Sequence, residues 1–147
     1  MMKITILMIS LFGASHLHSQ SVKDSLLEIY AGQVFFETNK SDIEDGYKGI
    51  IKSLCDSFPN TKGKYFFIKA HTDAVGNRAD NLSLSEKRSL SIKMELIANG
   101  IPESDIQTEC YGDQKPQSDN HSEVGKRLNR RVEISVRDCD TIQKRVK

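Results

Sequence analysis

The sequence predicts an α/β (α+β) sandwich in which two main helices pack on one mixed four-stranded sheet. Three observations carry that expectation: short runs rich in β-branched and aromatic residues, two longer segments with apolar residues at helical spacing, and the order strand, helix, strand, helix, strand, strand along the chain.

The 147-residue chain opens with MMKITILMISLFGASHLHSQ, and residues 1–20 read as a secretory signal. Lys3 supplies a basic start, and the apolar stretch that follows, about 11 residues, is too short to span a bilayer as a helix. Small residues near its end place the expected cut next to Gln20. The first cysteine is Cys55, so the signal carries no lipid acceptor. Residues 21–32 form a lead-in whose structure the sequence leaves open. QVFFE, residues 33–37, has the composition of a first strand. In the next segment Ser41 and Glu44 have capping-box spacing, and Ile43, Tyr47, Ile50, Ile51, Leu54 and Phe58 mark one apolar helix face that Pro59 and Asn60 end.

YFFIKA, residues 65–70, is almost continuously apolar, which predicts a strand covered on both faces. A polar connection follows, and Ser83 with Glu86 repeats the capping-box spacing, so the second helix is expected from Leu84 to about Asn99, with Gly100 just past its end and Pro102 beyond. Residues 106–111 and 131–137 read as the third and fourth strands, joined by a turn-rich polar stretch. The expected domain therefore covers residues 33–137, with a basic tail at 138–147.

Over the chain, 21 Lys and Arg face 20 Asp and Glu, and the signal removes only Lys3. A neutral domain gives no electrostatic reason to expect nucleic acid or an anionic membrane as partner. The run KRLNRR, residues 126–131, reads as a solvated helix turn plus packing arginines. Three cysteines leave at least one unpaired. Cys55 falls on the core stripe as a small hydrophobe, and Cys110 with Cys139 is the single plausible pair.

The connection AHTDAVGNRADNLSLSEKR concentrates the chemistry. Asp73 taken alone is a turn former or cap. Arg88 lies at the edge of a helix stripe drawn through Leu84 or Ser85, then Ser89, Ile92 and Leu96, so its guanidinium needs an anionic partner or exposure at the mouth of a groove. The small Ser85 and Ser89 leave room for something to approach. One anion and one two-pronged cation at a strand end complement a zwitterion carrying ammonium and carboxylate on one carbon. His71 and Asp73 could share a strand face as metal ligands, but no third ligand stands at suitable spacing, so neither metal nor cofactor is expected. No nucleophile elbow, phosphate loop or paired carboxylates support catalysis, and the chain is not read as an enzyme.

These residues resemble the OmpA-like peptidoglycan-binding domain shared by outer-membrane porins, the Pal lipoproteins and the stator protein MotB. The pattern H-T-D-x-x-G followed by N-x-x-L-S-x-x-R-A is matched by His71, Thr72, Asp73, Gly76, Asn81, Leu84, Ser85 and Arg88, with Ser89 in place of Ala. Gly100, Ile101, Tyr111, Gly112, Pro116, Asn120, Gly125 and residues 129–132 keep the downstream order. Ala70, Glu37, Cys110 and Lys126 depart from the usual residues. The resemblance implies a β-α-β-α-β-β sandwich that binds the diaminopimelate residue of the peptidoglycan stem peptide. It assigns the ammonium and carboxylate of that residue to Asp73 and Arg88, further first-loop contacts to Thr38 and Asn39, and pocket shaping to Thr72, Asn81 and Leu84. The expectation is an exported, non-enzymatic module of the Gram-negative periplasm, associated with the outer membrane and reaching any outer-membrane protein partner by association. A periplasmic interaction module without wall binding is the alternative, and a wall-directed hydrolase stands far behind.

Overall fold

The computed structural model describes residues 27–138; the signal, half of the lead-in (21–26), the rest of the tail and, with Cys139, the Cys110–Cys139 pairing lie outside the described residues. The elements in chain order are β1 (Leu27–Phe35), α1 (Asp45–Asp56), β2 (Lys64–His71), α2 (Arg78–Ala98), β3 (Ile106–Gly112), α3 (Glu123–Asn129) and β4 (Arg131–Asp138). The sheet order is β1-β4-β2-β3, with β4 antiparallel to both neighbours and β3 parallel to β2. The α/β architecture expected from the sequence is the one observed, with a short third helix added.

Strand length follows the partner as much as the local composition. β1 begins at Leu27 rather than Gln33 because β4 offers a ladder from Arg131 to Asp138 along which it pairs, with a bulge between Glu28 and Tyr30. β2 alternates cleanly: Phe66, Ile68 and Ala70 are fully buried, while Tyr65, Phe67 and Lys69 are half-buried on the opposite side. The expectation of two covered faces therefore fails. On the open face Phe67 is roofed instead by the Arg137 guanidinium, 4.5 Å from its ring centre.

Val34, Val132, Ile134, Val136 and Ile106 join the buried face of β2, against Ile51, Leu54 and Cys55 of α1 and Ile92 and Leu96 of α2. Phe58 meets Phe66 edge-on at 6.0 Å. Burial pushes the Cys55 thiol up to about 11, as expected of a cysteine that packs as a hydrophobe. The Ser41 and Glu44 box does not form. Glu44 itself is the N-cap residue, without a side-chain cap bond, so α1 starts later and Ile50 falls off the buried face. At the other end of α2 the Gly100 amide bonds the Ile97 carbonyl and the Ile101 amide bonds Leu96, the double bond that a left-handed Gly100 (φ 92°) permits.

Helix α3 arises inside the stretch read as turns. It has seven residues, and Val124 and Leu128 are exposed, so no apolar stripe announces it. Its start is fixed by hydrogen bonds instead: Ser122 Oγ accepts from the Gly125 amide, and Asp119 accepts from the amides of His121 and Ser122. Gly125 packs so closely on that turn that a Cβ there would stand 2.0 Å from the Asp119 carbonyl oxygen.

His71 closes β2. Its ring stacks on Tyr111 at 5.2 Å, and its Nε2 stands 3.7 Å from Glu133. Burial first, then the Arg131 charge, lower its pKa to about 4, against the opposing pull of Glu133.

Two predictions follow from this packing. Gly125→Ala should destabilise the fold by about 1 to 3 kcal/mol through the clash, whereas Gly49→Ala, with open space around it in α1, should stabilise by about 0.5 to 1 kcal/mol; urea melts of both variants measure the opposite signs. The unfolded chain protonates His71 near 6.5 and the folded chain only near 4, so stability is full above 6.5 and declines as pH falls towards 4. Between pH 7 and pH 5 the loss should be about 2 kcal/mol, and His71→Phe should abolish that share of it.

Candidate functional site

The site is built where β2 ends. Thr72 donates its amide to the Gly112 carbonyl at 2.8 Å, which ties the start of the connection to the end of β3. Asp73 then folds back: Oδ1 accepts from the Val75 amide at 3.2 Å, and Oδ2 accepts from Arg130 Nη1 at 2.9 Å. Both members of this ion pair are 8 % exposed. Gly76 takes φ 95°, a conformation that lets the chain turn without strain.

Helix α2 begins at Arg78, six residues before the expected Leu84. Asn77 is the cap, with Oδ1 accepting from the Asp80 amide at 2.9 Å and Nδ2 donating to the Asp80 carboxylate at 2.6 Å. Asn77 thus caps the N3 amide as in a capping box, while the Asp80 carboxylate returns to the Asn77 side-chain amide instead of its backbone amide. Ser83 and Glu86 lie inside the helix.

The early start turns Ser85 and Ser89 onto the sheet. Ser85 Oγ donates to the Leu82 carbonyl at 2.7 Å and accepts the Gly112 amide at 3.1 Å. A Cβ on Gly112, whose φ is 55°, would stand 3.0 Å from the Leu82 amide. The room that the two small serines leave is therefore occupied by the end of β3. It is a backbone contact, where the sequence reading left space for an approaching group.

Arg88 is fully buried. Its Nε donates to the Lys40 carbonyl at 2.8 Å, Nη1 to the His71 carbonyl at 2.9 Å and Nη2 to the Glu37 carbonyl at 3.1 Å. The Phe36 ring lies 5.1 Å from its Cζ. Neutral carbonyls, where an anion or exposure was expected, supply its hydrogen bonds. Burial lowers its pKa to about 10, with Arg130 adding to that and Asp73 opposing it. It is therefore charged at neutral pH, in electrostatic contact with Asp73.

A second tier went unread in the sequence. Asn129 Oδ1 accepts from the amides of Gln117 and Ser118, and its Nδ2 donates to the Ser118 carbonyl and to Asn120 Oδ1. Asn120 Oδ1 also accepts the Ala74 amide, which ties this loop to the Asp73 turn. Arg130 donates from Nε to the Phe36 carbonyl while holding Asp73. Arg131 pairs with Glu133 at 2.7 Å. KRLNRR does contain packing arginines, as read, and the overlooked signal was the asparagine placed directly before them and before β4.

A cleft of about 390 Å³ opens beside this framework, lined by Asn39, Val75, Gly76, Asp80, Asn81, Ser83, Leu84 and Lys87. Of the residues singled out in the sequence, Asn39, Asn81 and Leu84 line it. Thr38 is exposed next to Asn39 but outside the lining, and Thr72, Asp73 and Arg88 are buried and outside it as well. Asp80 and Lys87 are lining residues that the sequence reading did not single out. Among the buried side-chain atoms of the singled-out residues, Thr72 Oγ1, Asn81 Nδ2, Ser89 Oγ and both His71 ring nitrogens have no hydrogen-bond partner in the protein.

Comparison with known proteins places the fold in a family. Outer membrane porin F of Pseudomonas fluorescens is 35% identical over 103 residues, which cover 70% of this chain and 32% of the porin. The peptidoglycan-associated lipoprotein of Pseudomonas aeruginosa is 31% identical over 100 residues, 68% of this chain and 59% of the lipoprotein. The chain thus spans about a third of the porin's length. Among solved structures, the peptidoglycan-associated lipoprotein of Burkholderia pseudomallei superposes with a TM-score of 0.68 at 22% identity, over 71% of this chain and 88% of that one. The C-terminal domain of Helicobacter pylori MotB gives 0.68 at 19% identity, over 78% and 91%. At these identities the structural likeness is one of fold. The relatives are outer-membrane and peptidoglycan-associated proteins of Gram-negative bacteria, and no helix among the described residues is long and apolar enough to cross a membrane. The family model that matches residues 35–130 is that of the OmpA family, and the chain belongs to it.

Proposed function

We propose that this domain is a non-enzymatic module that attaches non-covalently to peptidoglycan in the periplasm through the diaminopimelate residue of the stem peptide. The observation that carries the reading is the pair of unpartnered buried atoms, Thr72 Oγ1 and Asn81 Nδ2, beside two opposite charges at one strand end. A buried polar group without a partner is unfavourable, and a polar ligand relieves it. Relatives named as peptidoglycan-associated support the ligand class.

Arg88 has five N–H donors, of which three serve carbonyls, leaving one on each terminal nitrogen. Those two complement a carboxylate. Asp73 keeps acceptor capacity on Oδ1, whose one partner is the long Val75 bond, and it receives the ammonium. Because Arg88 is enclosed, the ligand reaches it by displacing part of the exposed loop 37–40, which carries Thr38 and Asn39. A second reading, an interaction module without wall binding, draws on the Arg130 bond that already occupies Asp73 Oδ2.

Sedimentation with purified sacculi tests both. The wild-type domain should co-sediment with walls containing diaminopimelate, and Asp73→Asn or Arg88→Lys should each weaken binding by about 2 to 5 kcal/mol, with circular dichroism confirming the fold. Walls built on lysine, which lacks the distal carboxylate, should bind at least tenfold more weakly by loss of the Arg88 contact. Failure of the wild type to sediment with either wall favours the interaction module instead.

A further inference from the structure

Lys87 stands in the cleft without an assigned task. It is exposed, it lines the cleft, and its ammonium makes no ion pair among the described residues. It lies on α2 one turn after Leu84 and two turns after Asp80, so the three share a helix face. Asn81 contributes the second element. The residue is 4 % exposed, it borders the same cleft, and its Nδ2 is an unpartnered donor. Asp80, the one acid in the lining, is held at the helix start by the 2.6 Å bond from Asn77 Nδ2. The cleft therefore offers a mobile ammonium and a buried, unpartnered amide N–H as donors, while one oxygen of its single carboxylate is held at the helix start.

Such a wall selects an acceptor carrying negative charge. We infer that Lys87 and Asn81 recognise a second carboxylate of the ligand, on the residue next to the diaminopimelate, and that the domain thereby distinguishes a stem peptide bearing a free carboxylate there from one in which it is amidated. This rests on the peptidoglycan reading above and deepens it. An amide at that position still accepts from Asn81 through its carbonyl, but it gives Lys87 no counter-charge and directs an N–H₂ towards an ammonium. Arg88 and Asp73 would hold the zwitterion, and Lys87 would read the neighbouring residue from the helix face outside them.

The test uses the whole exported chain and two synthetic tripeptides, L-alanyl-γ-D-glutamyl-meso-diaminopimelate and its counterpart with the glutamyl α-carboxylate amidated, titrated by calorimetry. The wild type should prefer the free acid by about fivefold at low salt, as befits one partly exposed ion pair, and the preference should shrink as salt rises. Lys87→Gln should weaken only the acid peptide and so erase the preference, while Lys87→Arg should keep it. Equal affinity of the wild type for both peptides, or an equal loss for both in Lys87→Gln, overturns the inference and leaves wall binding standing. Failure of the wild type to bind either peptide overturns both readings.

Discussion

The site depends on one buried guanidinium. Arg88 draws together three backbone carbonyls from two separate connections: Glu37 and Lys40 after β1, and His71 at the end of β2. A backbone carbonyl away from water needs a donor, and Arg88 supplies one to each of these three, the Glu37 carbonyl also accepting the Lys40 amide. A guanidinium fits the task because its donors are fixed in one plane and spread over a wide arc, so a single side chain can bridge chain segments far apart in sequence. Enclosing the charge is unfavourable. The Phe36 ring beneath it and the nearby Asp73 offset part of that penalty, and a pKa near 10 leaves the group charged at neutral pH.

The rest of the framework repeats this logic with different donors. Arg130 bridges the Phe36 carbonyl to Asp73, and Asn129 gathers the 117–120 turn, which in turn holds the Ala74 amide through Asn120. The Asp73 connection is consequently fastened from β3 through Thr72, from the β4 end through Arg130 and from the α3 loop through Asn120. Polar side chains do here what apolar contacts do in the core. Among the atoms they leave without a partner are Thr72 Oγ1 and, bordering the cleft, Asn81 Nδ2, which on the proposed reading would be met by a polar ligand.

How much of this could be read beforehand follows from the kind of signal involved. The strands and the buried stripe of α2 were legible because β-rich composition and helical spacing report on what meets the core, although the near-continuous apolar run of β2 concealed its alternation; His71, Asp73 and Arg88 stood out because charge gathers at one strand end, and Thr72 through the family resemblance alone. The helix start was misplaced because two cap-like spacings, at Asn77 and at Ser83, lie six residues apart, and only tertiary packing chooses between them. Helix α3 was invisible because its stability comes from Ser122, Asp119 and the fit of Gly125, none of which produces a periodic pattern. The partners of Arg88 were unreadable for a deeper reason. Backbone carbonyls carry no residue identity, so a buried arginine that needs acceptors looks in sequence like one that awaits an anion.

That ambiguity bears on how the site would work. An arginine held by neutral carbonyls through three of its five N–H donors has its charge uncompensated by those contacts, and hydrogen bonds to an ionised acceptor are roughly twice as strong as those to a neutral one. A carboxylate arriving at Arg88 would therefore exchange weaker contacts for stronger ones while loosening the loop that Glu37 and Lys40 anchor. Asp73 shows the complementary situation, with Arg130 as its standing counter-ion, so an incoming ammonium shares an anion that is already oriented. On the proposed reading, the same contacts that stabilise the fold would define the geometry a zwitterion must match, and the loop at 37–40 would be the part of the structure that moves on binding. A site of this design gains selectivity from the exchange, because a ligand lacking either charge leaves the resident carbonyl and arginine partners as the better choice.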